Sequence, residues 1–386
     1  MNVPAFIIGN GLSMALSPQF SIKKITTNFI ESMEEEDKSF LQEIASCHMK
    51  ERTLNFDDFE ENFAGIEIAL DSVKKYNQFL SSKTGNDFLC KYKLNNPELE
   101  KHLKIIDRIY TKYIMQILGL IKDNVHKEAI ENNLRNFVQF VKNKLDNAEK
   151  SYIFTLNYDL LMETILLDTL GSDKFIDFCY PSGKLKGTNI NKFDFNPDRA
   201  KRMFPTSEKV ELHHLHGSLS FFFDSERERA VKLKSQDITL NNIYEKIKEL
   251  QLPLTPAIIT GGGKSKKITQ YPFDYYYTTL KNLCDVGEFS ELYIIGYSFR
   301  DEHINKLIKT WMDKVEQYKD GLKIIDYKTN QSERDDFVKF VTSKLKKKQK
   351  QNIPIDCFIF GGANEIISAC GTRPKPKKIK IRENDL

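Results

Sequence analysis

Seven short apolar runs punctuate this chain, at 3–8, 152–155, 212–216, 257–260, 292–295, 322–325 and 355–360, most of them rich in isoleucine. Short apolar runs without polar alternation read as strands buried on both faces, the habit of parallel sheets. Helical stretches separate several of them, and that alternation predicts right-handed crossovers and a doubly wound, mostly parallel α/β sheet. The interval between the first and second runs is far too long for a single crossover. Within it, Phe59, Phe63, Ile66 and Leu70 recur at helical spacing, with Asn55 or Asp57 placed to cap. Ile105, Ile106, Ile109, Tyr113 and Ile117 mark a second helix, and Leu134, Phe137, Val138, Val141 and Leu145 a third. Residues 30–148 are therefore expected to form a large helical insertion beside the sheet, as a lid, an oligomer contact or simply added core. Residues 181–210, poor in apolar positions and rich in Lys, Asn, Asp and Pro, read as a long loop.

Composition narrows the class. A formal net charge of +4 over 386 residues does not call for nucleic acid as a substrate. Five lysines fall within 344–350, and the tail 373–386 adds Arg, Lys and Pro; both read as solvated surface, with 1–372 as one domain and 373–386 as a disordered basic tail. The six cysteines, at 47, 90, 179, 284, 357 and 370, include no pair spaced two to four residues apart, so no zinc ribbon or redox pair can be drawn. No secretory leader and no run of about 18 apolar residues is visible, so a cytoplasmic protein without a membrane span is expected.

The chemistry-bearing residues gather at the ends of predicted strands, where open α/β sheets hold their ligands. Gly9-Asn10-Gly11-Leu12-Ser13 follows the first strand and opens a helix. It reads either as a plain strand-to-helix turn or as a turn whose amides approach a pyrophosphate. Thr155-Leu156-Asn157-Tyr158-Asp159 follows the second strand. Asn157 can orient a ribose hydroxyl or a water without carrying charge; equally, Asn157 and Asp159 can cap the helix 160–167. His213, His214 and His216 end the third strand, with 214 and 216 on one face. No third metal ligand accompanies them, and His216, followed by Gly217, suits either a general base or a structural role. Gly296-Tyr297-Ser298-Phe299-Arg300-Asp301 opens another helix, with Ser298 and Asp301 in capping-box spacing or Ser298 on a ligand hydroxyl. Gly261-Gly262-Gly263-Lys264-Ser265 suggests a phosphate loop, but position 258 is Ile where the earlier glycine must stand, which excludes a Walker-type ATPase.

Taken in order, Gly-Asn-Gly-x-Ser, Thr-x-Asn-x-Asp, His-Gly and Gly-x-Ser resemble the sirtuin superfamily, most of all the divergent sirtuin-like NAD hydrolases of bacterial anti-phage defence. The run 273–283 and the run 296–304 are similar to that branch as well. The resemblance implies a Rossmann-like NAD-binding sheet with Asn157 and His216 as the catalytic pair. It implies cofactor contacts at Gly9, Asn10, Gly11, Ser13, Thr155, Asp159, Gly296, Ser298 and Asp301, an adenine-side contact at Gly362-Ala363, and no metal. It also implies NAD consumption during abortive infection, held in check by assembly into a homo-oligomer or by a sensor or ATPase partner protein. Three departures weigh against a sirtuin deacylase. The zinc-binding cysteine pairs are missing, Asn10 stands where those enzymes usually carry Ala, and residues 16–21 read Leu-Ser-Pro-Gln-Phe-Ser where they carry Gly-Ile-Pro-Asp-Phe-Arg.

The chemistry agrees. Nicotinamide leaves NAD as a neutral group from a cationic linkage, through an oxocarbenium-like state. A dry pocket that holds the ribose and a water needs few charged catalysts. With no acyl-peptide groove evident, water is the expected acceptor and hydrolysis to nicotinamide and ADP-ribose the expected reaction. An NAD-dependent deacylase and a non-catalytic sensor of NAD or ADP-ribose are the alternatives.

Overall fold

The computed structural model describes residues 2–39, 87, 91, 105, 108, 109, 112, 115–121, 123–171, 174–199, 209–224, 227–234, 243–250, 252, 254–259, 268–316, 318–345 and 353–366. Its strands, in chain order, are β1 (Pro4–Ile8), β2 (Ser151–Thr155), β3 (Phe175–Ile176), β4 (Cys179–Lys184), β5 (Asn191–Phe195), β6 (Val210–His214), β7 (Gly217–Asp224), β8 (Arg229–Leu233), β9 (Leu254–Ile258), β10 (Glu291–Ile295), β11 (Leu322–Ile325) and β12 (Phe358–Ile359). Seven form one sheet in the order β12-β11-β10-β1-β2-β6-β3, and every pairing in it is parallel. The fold is α/β and Rossmann-like.

Side-chain alternation explains why this sheet sits in the middle of the molecule. Phe6 and Ile8 of β1, Ile153 of β2, and Tyr293 and Ile295 of β10 join one core. Ala5 and Ile7, Phe154, and Leu292 and Ile294, on the opposite face, join the other. Each fully buried Ile or Phe contributes roughly 1.5–3 kcal/mol, so strands apolar at every position are stable only between two layers. Helix Arg135–Asp146 supplies part of one layer: its Phe140 meets Phe6 edge-on at 6.5 Å and Tyr293 at 5.1 Å. On the other side, helix Phe273–Val286 ends in a left-handed Gly287 (φ 69°), whose N–H and that of Glu288 close the last turn.

Register carries the sheet's geometry to the site. Ile359, Ile325, Ile295, Ile8, Thr155 and His214 lie in one row across the strands. The residues that follow each of them therefore emerge along one carboxyl edge.

Two expectations change, and a third lies largely beyond what the structure describes. Residues 181–210 are not all loop, because β4 and β5 form a hairpin there. The strand expected at 257–260 belongs instead to β9, which runs antiparallel to β7 in a second sheet of order β4-β5-β8-β7-β9. The helical insertion over 30–148 falls largely outside the described residues, and its first expected helix, at 59–70, lies wholly there. Its third is helix Arg135–Asp146, a layer against the parallel sheet. The stretch 261–265, most of the lysine run 344–350 and the tail 373–386 also lie outside the described residues. No helix among the described residues is long and apolar enough to cross a membrane.

Candidate functional site

Two glycine turns meet at the centre of the carboxyl edge. The Gly9 N–H donates to the Ile295 carbonyl and the Gly11 N–H to the Gly296 carbonyl, each at 2.9 Å. A Cβ on Gly9 would stand 2.5 Å from the Gly296 carbonyl oxygen, and one on Gly11 2.5 Å from the Gly296 Cα. Gly296 itself has φ 59°. These glycines are thus required by backbone-to-backbone contact, and they fix the spacing between the turns after β1 and β10.

Asn157 closes the next gap. Its Nδ2 donates to the Gly9 carbonyl and to Ser13 Oγ, both at 3.0 Å. A carbonyl oxygen can only accept, so the amide nitrogen must face inward, which turns Oδ1 the other way. Thr155 Oγ1 accepts the Asn157 N–H at 3.1 Å and holds the turn. Ser13 in turn donates to Asp159 Oδ2 at 2.5 Å, and Asp159 Oδ1 accepts the N–H of Leu161 at 3.0 Å, at the start of helix Leu161–Thr169. Burial pushes the Asp159 carboxyl above its usual range, and the two hydrogen bonds draw it back. Asn10 faces elsewhere, its Nδ2 bonded to the Phe20 carbonyl at 3.1 Å.

His216 stands two residues beyond His214 as Asn157 stands two beyond Thr155, and those two strand residues are register partners. The ladder continues past them, with the Leu215 N–H on the Thr155 carbonyl at 2.9 Å. The His216 carbonyl accepts from the Ile259 N–H at 2.8 Å, and Gly217, at φ 81°, lets the chain pass the Ala257 carbonyl, which any Cβ would overlap. His216 Nε2 lies 3.2 Å from Asp301 Oδ2. Asp301 Oδ1 accepts the N–H groups of His303 and Ile304 at 3.0 and 3.4 Å, capping helix Glu302–Lys314. The helix cap is therefore Asp301; Ser298 is exposed and takes no part in it.

The other two histidines differ in environment. His213 bonds Glu211 at 3.1 Å and stacks on Phe154. Burial pushes His214 down to about 4, so it is neutral at ordinary pH. Among the described residues no three His, Cys, Asp or Glu side chains converge as a metal site requires.

The sequence-predicted residues Gly9, Gly11, Ser13, Thr155, Asn157, Asp159 and Gly296 form one connected cluster. His216 and Asp301 form a second pair along the same edge. Gly362 (φ 74°) lies two strands from β10, its N–H on the Asp326 carbonyl at 3.0 Å. Two residues had escaped sequence reasoning: Tyr297, whose hydroxyl lies 2.9 Å from the Asp301 carbonyl and 3.0 Å from Asn305 Oδ1 and shares its one proton between them, and Asn305, whose Nδ2 donates to the Phe299 carbonyl at 2.8 Å. The available signal for Asn305 was a polar residue on the buried stripe that Ile304, Ile308 and Trp311 form on helix Glu302–Lys314. The surface groove lined by Thr188, Ile190, Lys246 and Leu250 contains none of these residues.

Comparison with curated proteins gave no match. A family model described as SIR2-like domain matches residues 151–340, a span that includes Asn157, Asp159, His216, Gly296 and Asp301. Such domains use NAD as a substrate, and the match supports placing this chain in the sirtuin-like superfamily.

Proposed function

We propose that the chain is an NAD+ glycohydrolase that releases nicotinamide and ADP-ribose. The observation that carries this reading is the register-matched placement of Asn157 and His216 beyond adjacent parallel strands, beside the glycine turns. With its nitrogen held by Gly9 and Ser13, Asn157 offers Oδ1 to a water or a ribose hydroxyl. His216 accepts the proton from the water as its oxygen attacks C1′ of the ribose, and the carbon–nitrogen bond to nicotinamide breaks as the electron pair returns to the pyridine. Gly9, Gly11, Ser13, Asp159, Gly296 and Ser298 are the proposed NAD contacts. Because free NAD+ hydrolysis would harm the host, the proposed setting is cytoplasmic anti-phage defence under control of homo-oligomer assembly or a partner protein.

The test is incubation of the purified chain with NAD+, chromatography of the products, and light scattering for the oligomer. Nicotinamide and ADP-ribose in equal amounts, lost in Asn157→Ala, are expected. Binding of NAD+ without turnover under any assembly state would identify a sensor, and turnover that requires an acylated peptide would identify a deacylase.

A further inference from the structure

We propose that Asp301 is the positioning residue for His216, fixing which imidazole nitrogen carries the proton, rather than a cofactor contact. The inference rests on the reading of His216 as the base. Both carboxylate oxygens of Asp301 are committed: Oδ1 to the first amides of helix Glu302–Lys314 and Oδ2 to His216 Nε2. Only 5% of the residue is exposed. A carboxylate accepts and cannot donate, so the shared proton sits on Nε2, and Nδ1 is the nitrogen that takes a proton from the attacking oxygen.

The turn that presents Asp301 is built to hold it still. Phe299 is a non-glycine residue at φ 56°, a left-handed conformation that persists only where its surroundings over-determine it. Here they do. Asn305 Nδ2 holds the Phe299 carbonyl, and the Tyr297 hydroxyl spans Asn305 Oδ1 and the Asp301 carbonyl. Tyr277, from helix Phe273–Val286, adds a buried hydroxyl with no hydrogen-bond partner among the described residues. Burial, and then the Asp301 charge, hold its proton on. Simple helix capping needs one oxygen and none of this buttressing. The second oxygen, aimed at a histidine 85 positions away in sequence, is the part that capping leaves unexplained.

The test separates cap from orienter. Asn and Ser cap helices about as well as Asp. In Asp301→Asn, the remaining oxygen stays on the helix amides and the new amide nitrogen faces Nε2, which forces the imidazole proton to Nδ1. We expect long-range nitrogen–proton NMR of histidine-labelled protein to show His216 as the Nε2–H tautomer in the parent and as Nδ1–H in Asp301→Asn, with His216→Gln supplying the assignment. NAD+ turnover by Asp301→Asn and by Asp301→Ser should fall about 10²–10⁴-fold in kcat, with KM within about threefold of the parent. A parent in the Nδ1–H form, an unchanged tautomer in Asp301→Asn, or variants with parental kcat would overturn the proposal. The tautomer readout decides the matter even if the NAD+ reaction itself proves wrong, whereas equal activity of Asn157→Ala and parent would sink the reaction and leave the dyad standing.

Discussion

Replacing Gly11 by alanine drives a methyl group to 2.5 Å from the Gly296 Cα and 3.0 Å from its carbonyl oxygen. Both are backbone atoms at a strand end, so neither yields as a flexible side chain would. Overpacking of this kind costs typically about 1–3 kcal/mol. Gly296→Ala meets the same wall from the other side, at 2.5 Å from the Gly11 Cα and 2.7 Å from the Leu12 nitrogen, and it adds a left-handed φ of 59°. That conformation costs a residue with a Cβ roughly 1–2 kcal/mol more, so the second variant should lose about 2–5 kcal/mol. Gly119 is the internal control: it lies within helical residues 115–121 with open space where its Cβ would go. Gly119→Ala should be neutral or more stable by up to about 1 kcal/mol. Urea unfolding of all three gives the ranking directly, and KM for NAD+ should rise in the first two because the turns are forced apart. Parental stability in both Gly11→Ala and Gly296→Ala would refute the idea that backbone contact, rather than loop flexibility, is why glycine stands at these positions.

Three further outcomes follow from the same structure. Asn157→Asp places a carboxylate oxygen 3.0 Å from the Gly9 carbonyl oxygen; the variant should lose about 1–3 kcal/mol at pH 7 and recover in urea titrations below about pH 4, where the carboxyl protonates. His214, held down to about 4 by burial, binds a proton more readily unfolded than folded, so its contribution is intact above about pH 6.5 and is lost as pH falls toward 4. The loss should total about 3 kcal/mol, and His214→Leu should flatten that part of the stability–pH curve. Lys232, buried with Glu163 Oε1 at 2.8 Å and bonded to Asp177, should cost about 3–5 kcal/mol in calorimetry or urea when changed to Met, because two carboxylates are left facing each other without their cation.

The parallel sheet was legible because β1, β2, β10 and β11 are buried almost throughout and are mostly apolar, although β6 carries Glu211, His213 and His214 among its five residues. The antiparallel sheet was not, since its strands bury charged and hydroxyl groups that satisfy one another. Asp194 takes Arg229 at 2.7 Å and the Ser182 hydroxyl at 2.9 Å, Lys232 takes Glu163, and Ser218 pairs with Ser220 at 2.9 Å. An apolar-run reading sees those positions as loop. The site was legible where it follows a strand, at Gly9, Asn157, Asp159 and His216. It was not legible where its logic lies between distant segments. Nothing in the local sequence around Asp301 names His216 as its partner, and nothing around Gly11 says that its Cα must touch Gly296.

Among the described residues the chain steps straight from the parallel sheet into the antiparallel one through two-residue turns at Asp177 and Phe178, from β3 to β4, and at Leu215 and His216, from β6 to β7. The residue just after β9 clasps the second of these turns, the Ile259 N–H donating to the His216 carbonyl. A shift of the antiparallel sheet would therefore reach the His216 backbone directly, whereas the turns at Gly9, Gly11 and Gly296 hold one another through bonds that lie outside that sheet.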